Sequence, residues 1–103
     1  MLDEVAKEIN GRGGKGVPVV VDHSNDAEVE NFFKKIDKDE HGKLDVLVNN
    51  AFSAVNTILS SVGKPFWTLD PVEQWDSING VGLRNHYLST VYASRYLFWF
   101  LKK

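Results

Sequence analysis

The sequence Leu44-Asp45-Val46-Leu47-Val48-Asn49-Asn50-Ala51 decides the fold prediction. Its first five residues are mostly aliphatic and β-branched, which favours a buried strand. Two asparagines and a small alanine then end the apolar run. At the carboxyl end of a parallel strand, amides can tie neighbouring segments together, and a small residue lets a ligand approach the backbone. Because Asn tolerates the left-handed backbone region, a plain turn is the alternative interpretation.

A second apolar run, Val17-Pro18-Val19-Val20-Val21-Asp22, precedes this stretch. Its proline suits the start of an edge strand. Asp22 ends the run, as a ligand-facing carboxylate or simply as the start of a turn. Between the two runs, Ser24-Asn25-Asp26 predicts a helix start, and apolar residues at 29, 32, 33 and 36 predict a helix that ends near residues 41–42.

Strand, helix and strand in this order predict an α/β fold, as part of a Rossmann-like doubly wound parallel sheet. In the strand order 3-2-1-4-5-6, residues 17–22 would be the third strand and residues 44–49 the fourth. Strands two and one would lie between them. We therefore expect a gap of about 14 Å, three spacings of roughly 4.8 Å, with no shared ladder hydrogen bonds.

Helical periodicity predicts a helix before the two apolar runs and another after them. Apolar residues 2, 5, 6 and 9 predict a helix that stops near Asn10 or Gly11, so the chain is expected to begin inside an element. Residues 52–68 have no clear period and are predicted to be a long loop. Asp70-Pro71 opens a predicted helix over residues 71–96, with Asp70 as its N-cap.

Composition limits the classes of function. The chain has 103 residues, a net charge of −2 and no cysteine, which favours one small intracellular, cytoplasmic domain and disfavours nucleic-acid binding. No apolar run approaches the roughly 20 residues of a membrane-spanning helix. The aromatic tail at residues 96–103, which ends in two lysines, could rest on a membrane surface; an ordinary helix end is the alternative.

The remaining sequence motifs do not support a phosphate-binding, metal-binding or hydrolase site. Gly11-Arg12-Gly13-Gly14-Lys15-Gly16 fits the letters G-x-G-x-x-G, but it follows a helix and precedes a strand, so we interpret it as a connection. His23, His41 and His86 have no metal-ligand spacing and are predicted to be solvated, with no metal site. No Gly-x-Ser-x-Gly elbow is present.

Asp22, the Leu44-to-Ala51 stretch and Trp75 in the last helix together resemble the short-chain dehydrogenase/reductase (SDR) superfamily. The resemblance runs from about residue 2 to residue 96. It implies an NAD(P)-dependent oxidoreductase that moves hydride between NADP or NAD and a carbonyl or alcohol substrate. It implies that Asp22 lies near the adenine and that Asn49, Asn50 and Ala51 line the adenosine ribose. It further implies an oligomer that packs through the helix at 71–96.

The family's catalytic Tyr-x-x-x-Lys motif is not in this sequence: Tyr87 is followed four places on by Val91, and Tyr92 by Tyr96. The family's glycine-rich cofactor loop is missing as well, and Gly82 stands where many members have an Asn. We therefore expect a single partial NAD(P)-binding domain, 1–103, truncated at both ends and inactive alone. The alternatives are a non-catalytic interaction fragment that docks through residues 71–96 and a residual nucleotide-binding module.

Overall fold

Helices dominate the computed structural model, which describes residues 1–97. In this range α1 spans Leu2–Gly11, α2 spans Asp26–Asp39, α3 spans Val55–Ser61, α4 spans Pro71–Asn79 and α5 spans Asn85–Leu97. A short 3-10 turn, Phe66–Thr68, precedes α4, and a distorted π-type turn, Gly80–Arg84, joins α4 to α5. Among the described residues, no helix is long and apolar enough to cross a membrane.

The predicted helix starts are confirmed by their caps. The side-chain oxygen of Asn25 accepts a hydrogen bond from the Glu28 N–H at 3.2 Å, at the start of α2. The Asp70 carboxylate accepts two, from the N–H groups of Val72 and Glu73 at 3.0 and 2.9 Å. Each cap binds N–H groups that have no partner inside the helix, which is why short polar side chains mark these positions in the sequence.

The predicted Rossmann-like parallel sheet is wrong for this chain. Residues 17–22 and 44–49 form no strand, and residues 1–97 contain no sheet. The apolar pattern predicts burial, but a strand also needs a partner that completes its ladder of hydrogen bonds. No backbone hydrogen bond joins these two segments within the described chain. Because neither segment forms a strand, the expected gap between a third and a fourth strand does not apply. Val20, Val46 and Val48 are accordingly 86%, 71% and 77% exposed.

The core lies where α2 packs against α5. Val29 and Phe33 of α2 and Ala93 of α5 are buried, and the rings of Phe33 and Tyr92 lie 5.7 Å apart. The two irregular segments, residues 17–22 and 44–49, also contact this core. Partly buried apolar residues surround it: Val21, Phe32, Ile36, Leu44, Leu47, Tyr92, Tyr96 and Leu97.

Two further predictions are corrected between α2 and α5. The long loop predicted at residues 52–68 contains α3 and the 3-10 turn. The single helix predicted at residues 71–96 is broken, because Val81 and Gly82 are non-helical and Gly82 has a φ of 147°. Trp99 and the rest of the tail from residue 98 onward lie outside the described residues.

Candidate functional site

An open cavity of about 550 Å³ lies at the ends of the two irregular segments. Residues 21–24 line one side, residues 50–53 line the other, and Val55 and Val81 complete it. Asp22, Asn50 and Ala51 therefore border one space, although 28 positions separate Asp22 from Asn50 in the sequence. A cavity of this volume is in the range that binds small molecules and cofactors.

Asp22 carries the negative charge of this cavity. Its Oδ1 accepts hydrogen bonds from the Ser24 hydroxyl at 2.6 Å and from the Ser24 N–H at 2.9 Å. These two bonds, the hydroxyl first, lower the pKa of the exposed Asp22 carboxyl below its ordinary value, so the group is ionised at neutral pH. Among residues 1–97, Oδ2 receives no hydrogen bond. The carboxylate thus keeps acceptor capacity for a ligand.

Asn49 does not line this cavity. Its Nδ2 donates to the Thr90 hydroxyl of α5 at 3.1 Å, and that hydroxyl donates to the His86 carbonyl at 2.7 Å. Asn49 therefore ties the irregular segment to α5. It lines a second space of about 590 Å³, between the two irregular segments and the helices α2 and α5.

Two of the three histidines contact the cavity walls, so the prediction that they are solvated is wrong for this pair. His86 Nε2 lies 2.9 Å from the Ala51 carbonyl, which can only accept, so Nε2 carries the proton. His23 Nδ1 lies 3.4 Å from the Nδ2 of Asn85. Both rings are half-buried. They fix the backbone at Ala51 and the segment that follows Asp22.

Asn85 lies next to the candidate site, which the sequence did not predict. It is 1% exposed, and its Oδ1 accepts a hydrogen bond from the Gly82 N–H at 2.6 Å. A polar residue near the start of a helix ordinarily indicates solvent. The nearby Gly80-x-Gly82 pair was the only signal in the sequence that the helix could break here.

The Gly11-to-Gly16 motif connects α1 to an irregular segment, residues 17–22, and not to the expected strand. It follows the end of α1, and the Gly16 N–H donates to the Asn10 side chain at 2.7 Å. It opens no helix, so its N–H groups are not arranged around a phosphate. Within residues 1–97, no group of three or more His, Cys, Asp or Glu side chains could hold a metal ion.

The sequence matches a known protein family over nearly its whole length. The profile of the short chain dehydrogenase family matches residues 1–98. The chain belongs to the short-chain dehydrogenase family. It is 49% identical to human dehydrogenase/reductase SDR family member 1, and 48% identical to the mouse protein of that name, each over 91% of this chain. A probable oxidoreductase EphD of Mycobacterium tuberculosis is 37% identical over 80% of this chain.

The chain spans about 30% of the length of the human and mouse relatives and about 12% of the mycobacterial one. The predicted resemblance to the short-chain dehydrogenase/reductase superfamily is therefore confirmed. The matched range, residues 1–98, includes Asp22, Asn49, Asn50 and Ala51.

Proposed function

We propose that this chain supplies the adenosine side of the cofactor site of an NAD(P)-dependent oxidoreductase, which moves hydride between the nicotinamide and a carbonyl or alcohol carbon. One observation carries the proposal: Asp22, Asn50 and Ala51 border a single cavity. Membership in the short-chain dehydrogenase family supports it.

Each residue of the cavity has a role that its chemistry permits. The ionised Asp22 accepts a hydrogen bond from the amino group of adenine, for which Oδ2 is unoccupied by residues 1–97. Asn50 offers an amide with both donor and acceptor atoms to the ribose hydroxyls. Ala51 keeps the backbone accessible, and the hydrogen bond between its carbonyl and His86 fixes that backbone. Asn49 supports this wall through Thr90 rather than by contacting the cofactor.

The 103 residues alone do not turn over a carbonyl substrate in this proposal. A carbonyl reduction needs a group that protonates the developing alkoxide, and no tyrosine here is followed four places on by a lysine. Hydride transfer is therefore a property of a larger protein. Turnover by the purified chain, with matching oxidation of a reduced nicotinamide, would refute this part.

Calorimetric titration of the chain with NADP and NAD tests the cofactor role. Asp22→Ala should weaken binding about tenfold or more, because a hydrogen bond to a charged group contributes about 1.5–3 kcal/mol. Asp22→Asn, which keeps an acceptor, should weaken it less. The matched control is Asp45→Ala, which removes the same charge from a side chain that is 76% exposed and lies outside the cavity. Equal effects of Asp22→Ala and Asp45→Ala would contradict the proposal.

A second candidate is self-association through the region of α4. Phe66, Trp67 and Trp75 are 87%, 83% and 66% exposed and border a groove of about 530 Å³. Large exposed aromatic side chains are the residues that dominate interface energetics. We expect a concentration-dependent dimer in sedimentation velocity that Trp67→Ala weakens. A monomer at every concentration would exclude this candidate without affecting the cofactor proposal.

A further inference from the structure

The ring of Phe52 lies against the backbone of Gly82. A Cβ atom placed on Gly82 would come within 2.6 Å of Cδ2 of that ring, closer than real Cβ atoms approach other atoms, and within 3.1 Å of Cε2, which is a tight contact. Gly82 also has a φ of 147°, a conformation that residues with a side chain rarely adopt. Position 82 therefore needs glycine for two independent reasons, the backbone of the helix break and the space for the ring.

Hydrogen bonds hold the backbone next to Phe52 and the backbone next to Gly82 together. The Gly82 N–H donates to the buried Asn85 side chain at 2.6 Å, which fixes the helix break. The Ser53 N–H donates to the Val81 carbonyl at 3.0 Å, and the Ser53 hydroxyl donates to the Ser77 carbonyl at 3.1 Å. The residue after Phe52 is thus bound to the residue before Gly82, which holds the backbone of Phe52 beside the helix break.

Phe52 also borders the cavity that contains Asp22. The side chain is 47% exposed, so part of the ring remains available after it packs on Gly82. A cavity with one aromatic surface and one ionised carboxylate suits a planar ring that carries an amino group. Such a ring stacks on the aromatic side chain and donates its N–H to the carboxylate.

We propose that Phe52 is a specificity-determining residue that stacks on the adenine base, and that Gly82 is the positioning residue that makes room for it. This inference rests on the proposed function and specifies it further. It assigns base recognition to Phe52 and Asp22 together, so the site should prefer an adenine nucleotide to the same sugar phosphate without a base.

Binding of adenosine monophosphate and of ribose phosphate to the 103-residue chain, followed by NMR titration, tests the stacking. Adenosine monophosphate should bind more tightly. Phe52→Leu should weaken it about 5- to 150-fold, which corresponds to the ~1–3 kcal/mol of base stacking on an aromatic ring. Phe52→Tyr should restore binding. The matched control is Phe66→Leu, which changes an 87% exposed ring outside the cavity and should have no effect.

The positioning role has its own measurement, which needs no ligand. Contacts between the Phe52 ring protons and the α-protons of residue 82 should appear in NOE spectra of the wild type. Gly82→Ala should abolish them and shift the ring resonances. Unchanged ring resonances in Gly82→Ala would overturn the positioning role even if the helices form normally.

The outcomes separate this inference from the proposed function. If Asp22→Ala weakens adenosine monophosphate binding and Phe52→Leu does not, stacking is refuted and the cofactor role stands. Equal affinity for the two ligands refutes recognition of the base. If the wild type binds neither ligand nor the dinucleotides, the proposed function fails, and with it the ligand assigned to Phe52.

Discussion

Replacing Phe33 by alanine should remove a large part of the stability of this chain. Phe33 is 2% exposed at the contact of α2 with α5 and packs against Tyr92. Truncating a buried phenylalanine costs about 3–5 kcal/mol, because transfer free energy is lost and a cavity remains. Typical domains have only about 5–15 kcal/mol of stability in total. In residues 1–97 the buried apolar side chains are few: Ala6, Val29, Phe33, Ala54 and Ala93.

Urea unfolding followed by far-UV circular dichroism measures the effect. Phe33→Ala should lower the free energy of unfolding by about 3–5 kcal/mol or leave no folded baseline. Phe66→Ala removes the same ring from a site that is 87% exposed, and its effect should stay within about 0.5 kcal/mol. Equal, small effects of the two substitutions would refute the assignment of the core to α2 and α5.

Three further predictions concern a cap, a close contact and an ion pair. Asp70→Ala removes the acceptor for two N–H groups at the start of α4 and should cost about 0.5–2 kcal/mol, measured by the same unfolding experiment. Gly16→Ala places a Cβ atom 2.7 Å from the backbone of α1 and should lower the melting temperature, whereas Gly11→Ala, with open space, should not. The hydrogen bond from Arg84 lowers the pKa of Asp26 in the folded chain below the ordinary value of 3.8. The stabilisation is therefore present above that value and lost as the pH falls through the folded pKa, and an acid titration of Asp26→Asn should lack this part of the transition.

Local signals in the sequence predicted where α2 and α4 begin. Asn25 and Asp70 mark helix starts because their side chains bind N–H groups within three residues, an interaction that depends on no distant part of the chain. The apolar residues of α2 likewise predicted its buried face, with Val29 and Phe33 in the core.

The sheet could not be predicted from apolar pattern alone. Residues 17–22 and 44–49 have the composition of buried strands, but a strand requires a neighbouring strand that completes its ladder of hydrogen bonds, and residues 1–97 contain no such strand. The break at Gly82 was missed for a related reason. The conformation there depends on Phe52 and on the Asn85 side chain, one of which lies 30 positions away in the sequence.

The candidate site was predicted in part. Asp22, Asn49, Asn50 and Ala51 were predicted to be cofactor positions. Three of them, Asp22, Asn50 and Ala51, border one cavity, and the roles of all four toward a cofactor stay predictions. The position of Asn49 could not be predicted in the same way. In an irregular segment adjacent residues can contact different neighbours, and Asn49 binds Thr90 and does not line the cavity. His23, His86 and Asn85 were missed because their partners are visible only in three dimensions.

The exposed valines of the two irregular segments have a consequence for the chain in solution. Val20, Val46 and Val48 are β-branched, largely uncovered, and lie in backbone without ladder partners, the combination that seeds cross-β aggregation. Lys43 precedes the second segment and Asp45 lies within it, so both place charges next to its valines. Added salt screens such charges, so fibril formation monitored by a cross-β-binding dye should accelerate with ionic strength and slow down in Val46→Lys.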